Sequence, residues 1–197
     1  MEFEILNDPE NPPGPLEAVR RFLSAPRRQV QAWGERAPKR AGLGVFALVA
    51  LECALAHRLE MGQGRGRTIL AQIAAAAAVL FVAELLISTA AAAVASFTKK
   101  TGSRTLTIFY LHLGLSPLLL YLPLTLILQL LNAPDILQLL LFVILCLKVG
   151  TRWREIIETT YKLTSVQSVI AFYAAGVFSI LILFLTAYAA LVGRLAA

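Results

Sequence analysis

The chain has 197 residues, of which 58% are apolar and 15% are charged, with a formal net charge of +6. Soluble domains average about 45–50% apolar and about 25% charged residues, and the mean hydropathy of +0.71 departs in the same direction. The apolar residues stand in long blocks rather than with a helix or strand period. This pattern excludes a disordered chain, a disulfide scaffold and, despite the positive charge, a nucleic-acid-binding domain. It is typical of an all-α integral membrane protein.

Five apolar segments approach the roughly 20 residues that a helix needs to cross about 30 Å of hydrocarbon. We place these spans at about 41–57, 68–97, 105–131, 135–150 and 166–192. The first is short and carries Glu52, so a four-span chain is the alternative. The expected fold is a five-span transmembrane helix bundle within residues 41–197, with a tight hairpin between its third and fourth spans.

Two segments of different composition precede the first span. Residues 1–15 are acidic and proline-rich, which predicts a flexible tail. Residues 16–40 are basic, and their apolar positions indicate an amphipathic helix interrupted at Pro26. We expect this N-terminal helix to be interfacial, with Arg27, Arg28 and Trp33 near anionic lipid headgroups. A simple positive-inside anchor is the favoured interpretation of its charges, and a specific lipid or partner site is the alternative.

The basic residues also orient the chain. With five spans, 14 of the 18 Lys and Arg residues fall on the side of the N-terminus and four fall on the other side. Because basic residues are enriched in cytoplasmic loops, we expect a cytoplasmic N-terminus and Ala197 on the far side. Trp153 and Tyr161 share one face of a short helix predicted at the cytoplasmic interface. That helix either lies flat or prolongs the fourth span.

Ionisable residues inside the apolar segments are costly in hydrocarbon and are therefore functional candidates. They include Glu52, Glu84 and His112. Glu84 is nearest the centre of its span, and we expect it to be buried, protonated and partnered by a polar group of another span. His112 is the candidate nearest in depth. A packing carboxylate is the favoured interpretation, and a role in proton or ion movement is the alternative.

No motif in the sequence supports catalysis, a cofactor or a metal. His112 and Ser116 fall on one helical face, but neither a third orienting group nor a glycine-rich oxyanion turn accompanies them. Ser116 and Pro117 instead predict a bend in the third span, where the serine hydroxyl bonds to a freed carbonyl. Cys53 and Cys146 lack metal-ligand spacing. We therefore expect a protein that is not an enzyme, with no catalytic, cofactor-binding or metal-ligating residues.

Stripes of small residues spaced by four predict close helix packing, because small side chains let helix backbones approach each other within a membrane. The two stripes are Ser88, Ala92 and Ser96 on the second span, and Ala171, Ala175 and Ser179 on the fifth. They indicate helix–helix contacts within the chain, with another membrane protein subunit, or with a second copy.

Four segments carry a likeness to a known family. They are Arg-Phe-Leu-Ser-Ala-Pro at 21–26, the polar glycine-containing loop at 99–104, the proline step at 110–117, and residues 149–171 with Trp153 and Gln-Ser-Val-Ile-Ala. Together they resemble the Ypt-interacting-protein (YIP) family of five-span membrane proteins, and its prokaryotic branch in particular. The resemblance implies the cytoplasmic membrane of a prokaryote. The Asp-Leu-Tyr-Gly-Pro motif of the eukaryotic branch is absent, so Rab binding and vesicle traffic do not carry over.

These observations predict a non-catalytic accessory or organising subunit that acts through helix–helix and membrane-surface contacts. Its expected partners are the lipid bilayer with anionic headgroups, and other membrane subunits or itself, but no nucleic acid. The alternative is a small transporter or permease-like subunit that uses Glu84 and the bent third span.

Overall fold

The structure, a computed structural model, describes residues 14–34, 36–61 and 68–177, without the side chains of 57 and 59–61. The predicted flexible tail and Ser179 thus lie outside the described residues, apart from Gly14 and Pro15. Across the described ranges the chain is helical and forms no strand, which confirms the all-α class. The helices are α1 (Pro15–Ser24), α2 (Pro26–Trp33), α3 (Lys39–Met61), α4 (Ile69–Phe97), α5 (Arg104–Gly114), a 3-10 turn (Ser116–Leu120), α6 (Tyr121–Leu130), α7 (Asp135–Tyr161) and α8 (Ser165–Val177).

Three helical stretches are long and apolar enough to cross a membrane. They are α4, the bent unit Arg104–Leu130 that contains α5 and α6, and α7. Most of the apolar stretch of α4 and of α7 is not buried by the described protein, whereas the bent unit is largely enclosed. Large apolar side chains such as Val79 on α4 and Leu147 on α7 are therefore exposed. Such faces suit contact with lipid or with another membrane helix.

The bent unit breaks at Pro117, as the sequence predicts. Proline has no backbone N–H and cannot continue the α-helical hydrogen bonds, so Ser116–Leu120 winds as a 3-10 turn between α5 and α6. The Ser116 hydroxyl accepts a hydrogen bond from Nη1 of Arg152 at 2.9 Å, a contact that the sequence does not predict. This bond joins α7 to the turn between α5 and α6.

The turn from α7 to α8 is defined by its local chemistry. Lys162 ends α7 in the left-handed conformation, with φ of 54°. The Gln167 N–H then donates to Oγ1 of Thr164 at 3.3 Å, and the Thr164 N–H donates to Oε1 of Gln167 at 3.0 Å. This reciprocal pair is a capping box. Residues 152–161 prolong α7, which is one of the two arrangements expected for them.

The two short N-terminal helices pack against the bundle. α1 contacts α3, and α2 contacts α7. Trp33 stacks between Phe22 and Tyr110, with ring centroids 6.4 Å apart on each side, and the Tyr110 hydroxyl donates to the Gly34 carbonyl at 2.8 Å. This aromatic stack joins α1 and α2 to α5.

Three aromatic side chains expected to face the membrane surface are instead covered by protein. Trp33 and Trp153 are each 7% exposed and Tyr161 is 1% exposed, so all three belong to the protein core. Arg27 and Arg28, in contrast, are exposed. These aromatic side chains therefore pack against other helices of the chain.

Candidate functional site

The most unusual pair of side chains joins α4 to α5. Glu84 on α4 is fully buried and His112 on α5 is 4% exposed. Nδ1 of His112 lies 2.7 Å from Oε2 of Glu84. The structure thus confirms that Glu84 is buried and has a polar neighbour on another helix, and that neighbour is His112.

Aromatic rings and close backbone packing enclose the imidazole. The ring of Phe46 on α3 lies 4.6 Å from that of His112, and the ring of Phe109 meets it edge-on at 6.0 Å. At Gly42 a β-carbon would lie 2.8 Å from the Phe109 carbonyl oxygen and 3.5 Å from Cβ of His112. Glycine therefore allows α3 to approach α5 beside the pair.

The pair forms a small isolated polar unit. Nδ1 and Oε2 are close, but they are not aligned as a regular hydrogen bond, and neither Glu84 oxygen has another hydrogen-bond partner among the described residues. One titratable proton makes the pair neutral whether the carboxyl or the imidazole holds it. A neutral pair avoids the large cost of an unpaired buried charge. Chemically, the arrangement places one carboxyl and one imidazole at a distance at which they can share a proton.

Glu52, the third predicted polar candidate, is not part of this unit. It is half-buried on α3, and no ion pair joins it to Glu84 or His112 in the described part of the chain. Its Oε2 has no hydrogen-bond partner among those residues. The three intramembrane candidates therefore divide into a buried pair and a separate carboxyl.

Sequence reasoning missed the internal role of α7. It assigned Arg152 to a loop and Trp153 to the interface, yet both belong to α7 and both side chains bond to other helical segments. Arg152 donates to Ser116 and, through Nη2 at 3.2 Å, to the Leu23 carbonyl at the end of α1. Trp153 Nε1 donates to the Leu111 carbonyl at 2.9 Å. The composition of α7 gives no signal for these contacts, since its aromatic and basic residues equally suit a membrane surface.

The small-residue stripes are only partly in the predicted register. On α4, Ser88 is fully buried, but Ala92 is half-buried and Ser96 is exposed. The buried small residues that follow Ser88 are Ala91 and Ala95. On α8, Ala171 and Ala175 are buried as expected.

Four cavities of about 490 to 840 Å³ open between the described helices. Neither Glu84 nor His112 lines any of them. Within the same described ranges, no group of three or more His, Cys, Asp and Glu residues is placed to hold a metal ion. The buried pair is therefore closed off from these cavities.

Comparison with known proteins identifies no relative of this chain. The chain matches no protein-family model, no curated protein and no solved structure.

Proposed function

We propose that this chain is a non-catalytic, five-span membrane protein of YIP-like type that acts as an accessory or organising subunit. In this proposal the first and fifth spans lie at about 41–57 and 166–192, the N-terminus is cytoplasmic, and the membrane is the cytoplasmic membrane of a prokaryote. The observation that carries the proposal is that several buried polar side chains contact groups of other helices within the bundle.

The polar interior supports an organising role because its contacts join helices. Glu84 and His112 connect α4 to α5, Trp153 connects α7 to α5, and the Tyr161 hydroxyl lies 3.4 Å from the Ser88 carbonyl and connects α7 to α4. A transport site needs polar groups that face a path for the substrate. These groups are used to hold helices together.

The N-terminal helices support contacts at the membrane surface. The stack of Phe22, Trp33 and Tyr110 and the bonds of Arg152 fix α1 and α2 to the bundle. Exposed basic residues of α2 are thereby held at one end of an apolar bundle. Such a surface suits anionic headgroups, and the exposed apolar faces of α4 and α7 suit lipid or a second membrane subunit.

Affinity purification from the native cells in a mild detergent tests this function. We expect the chain to co-purify with a constant set of membrane proteins or as a defined homo-oligomer, and we expect Glu84→Gln to keep that set. Recovery of the wild-type chain as a monomer without partners, under conditions that keep other membrane complexes intact, would contradict an organising role.

A small transporter is the second candidate, and one observation favours it: Glu84 on α4 pairs with His112, which lies on the same bent unit as the Pro117 break. A proton-coupled transporter requires a group that gains and loses a proton, whereas Gln has none. Proteoliposomes with an imposed pH gradient and an internal pH dye separate the two functions. Faster collapse of the gradient with wild-type protein than with Glu84→Gln supports transport, and equal rates support the organising role.

A further inference from the structure

A cavity of about 530 Å³ lies where the junction of α1 and α2 meets the junction of α7 and α8. Its charged lining residues are Arg27, Arg28, Arg154, Glu155 and Glu158. It is distinct from the buried pair, because neither Glu84 nor His112 contributes to it. Cations from two separate elements, α2 and α7, therefore converge on one space.

One carboxylate of the cavity, that of Glu158, is already matched by other groups of the protein. Glu158 is 7% exposed, accepts a hydrogen bond from the Ser168 hydroxyl at 2.7 Å, and lies 3.5 Å from Nε of Arg154. Glu155 interacts electrostatically with Arg152. Arg27 and Arg28 are exposed and have no ion-pair partner among the described residues. Two guanidinium groups are left to attract an anion.

The backbone around the cavity favours the same ligand. Arg27 belongs to the first turn of α2 and Ser165 begins α8, whereas Pro26 has no backbone N–H to offer. The first N–H groups of a helix have no partner within it, and they carry the positive end of the helix dipole. Guanidinium groups and free N–H groups together bind phosphate oxygens well.

An apolar stripe begins directly beside the cavity. Along α8, Val166, Ile170, Tyr173 and Val177 follow one another at helical spacing and are 54 to 71% exposed. Val166 is the neighbour of Ser165, which lines the cavity. A free phosphate would use only the cavity, whereas a phospholipid would use the cavity for its headgroup and the stripe for an acyl chain.

We propose that this cavity binds the phosphate of a membrane phospholipid, with Arg27 and Arg28 as its cationic contacts and an acyl chain along α8. The inference rests on the proposed placement of the chain in a membrane. It deepens that function, because it names one specific binding site where the proposed function has only a general attraction of basic residues for anionic headgroups. It does not depend on which protein partner the chain has.

Lipid binding to the purified full-length chain tests the site. The chain in a neutral detergent is titrated with short-chain phosphatidylglycerol and, separately, with inorganic phosphate, while Kd is measured by native mass spectrometry or by thermal shift. We expect the double variant Arg27→Gln, Arg28→Gln to bind the lipid roughly 10- to 30-fold more weakly than wild type. The control is Arg36→Gln, Arg40→Gln, which removes two exposed charges outside this cavity and should bind as wild type does.

Each other result contradicts the proposal. Equal weakening in both double variants would mean that net charge alone attracts the lipid. Inorganic phosphate that binds as tightly as the lipid would show a soluble phosphate site without a role for α8. Wild-type affinity in the Arg27 and Arg28 variant would remove these residues from the site. Because no partner is present, failure here is distinguishable from failure of the organising role.

Discussion

Nδ1 of His112 and Oε2 of Glu84 lie 2.7 Å apart in the interior of the bundle. Each residue is the polar neighbour of the other, one on α5 and one on α4. Both side chains are almost completely buried. Removing one member therefore leaves the other unpaired in an apolar environment, which commonly costs about 1–3 kcal/mol. The two positions should behave as one coupled unit in stability measurements.

The first prediction concerns Glu84. Glu84→Leu should lower the free energy of unfolding by about 1–3 kcal/mol because His112 loses its polar neighbour, whereas Glu84→Gln keeps shape and polarity and should remain near wild type. The double variant Glu84→Leu, His112→Leu should recover part of the loss, since an apolar pair leaves no unpaired group. Unfolding in detergent measures all three. Wild-type stability of Glu84→Leu would show that the pair does not hold α4 to α5.

The second prediction compares two glycines of α3. A β-carbon at Gly42 would lie 2.8 Å from the Phe109 carbonyl oxygen, whereas one at Gly44 would meet no atom within 4 Å. Gly42→Ala should therefore cost about 1–3 kcal/mol by overpacking against backbone. Gly44→Ala should be neutral or stabilising by up to about 1 kcal/mol, because alanine favours helix. Equal melting temperatures of the two variants would argue against close packing of α3 on α5.

The third prediction concerns Arg152, whose guanidinium binds the Ser116 hydroxyl and the Leu23 carbonyl. Arg152→Met should loosen the N-terminal helices and speed hydrogen–deuterium exchange in a peptide covering 15–33. Ser116→Ala removes one of the two bonds and should have a smaller effect. The control is Lys148→Met, one turn earlier on α7 and exposed, which should exchange as wild type does. Unchanged exchange in Arg152→Met would show that the aromatic stack alone holds α1 and α2.

The fourth prediction concerns topology. In a background with both native cysteines replaced by alanine, Ser24→Cys and Ser103→Cys should react with an impermeant thiol reagent only from the cytoplasmic side. Asn132→Cys, in the turn between α6 and α7, should react only from outside. All three native residues are exposed. Reaction of Ser103→Cys and Asn132→Cys from the same side would contradict a membrane crossing by the bent unit.

Local features followed from the sequence because their causes are local. The breaks at Pro26 and Pro117 occur where proline removes a backbone donor. The burial of Glu84 follows from the cost of exposing a carboxyl group to hydrocarbon. Long apolar blocks likewise indicate membrane helices before any contact is known, since the requirement for apolar length is set by the bilayer.

Contacts between distant segments were decided by the tertiary structure. Trp33, Trp153 and Tyr161 are in the core because other helices cover them, and an amphipathic pattern does not distinguish a covering helix from a headgroup layer. The guanidinium of Arg152 is half-buried between α1 and the Pro117 turn for the same reason.

The small residues on α4 show most clearly what sequence spacing does not predict about a helix contact. A spacing of four exceeds the 3.6 residues of a helical turn, so a stripe of fours drifts by about 40° at each step. In the structure the buried face continues from Ser88 to Ala91 and then to Ala95, with steps of three and four residues. Sequence by itself determined that α4 has a small-residue face near Ser88. Which small residues form the contact face was decided only by packing against neighbouring helices. Close approach requires residues that stay on the same side of α4 from one turn to the next.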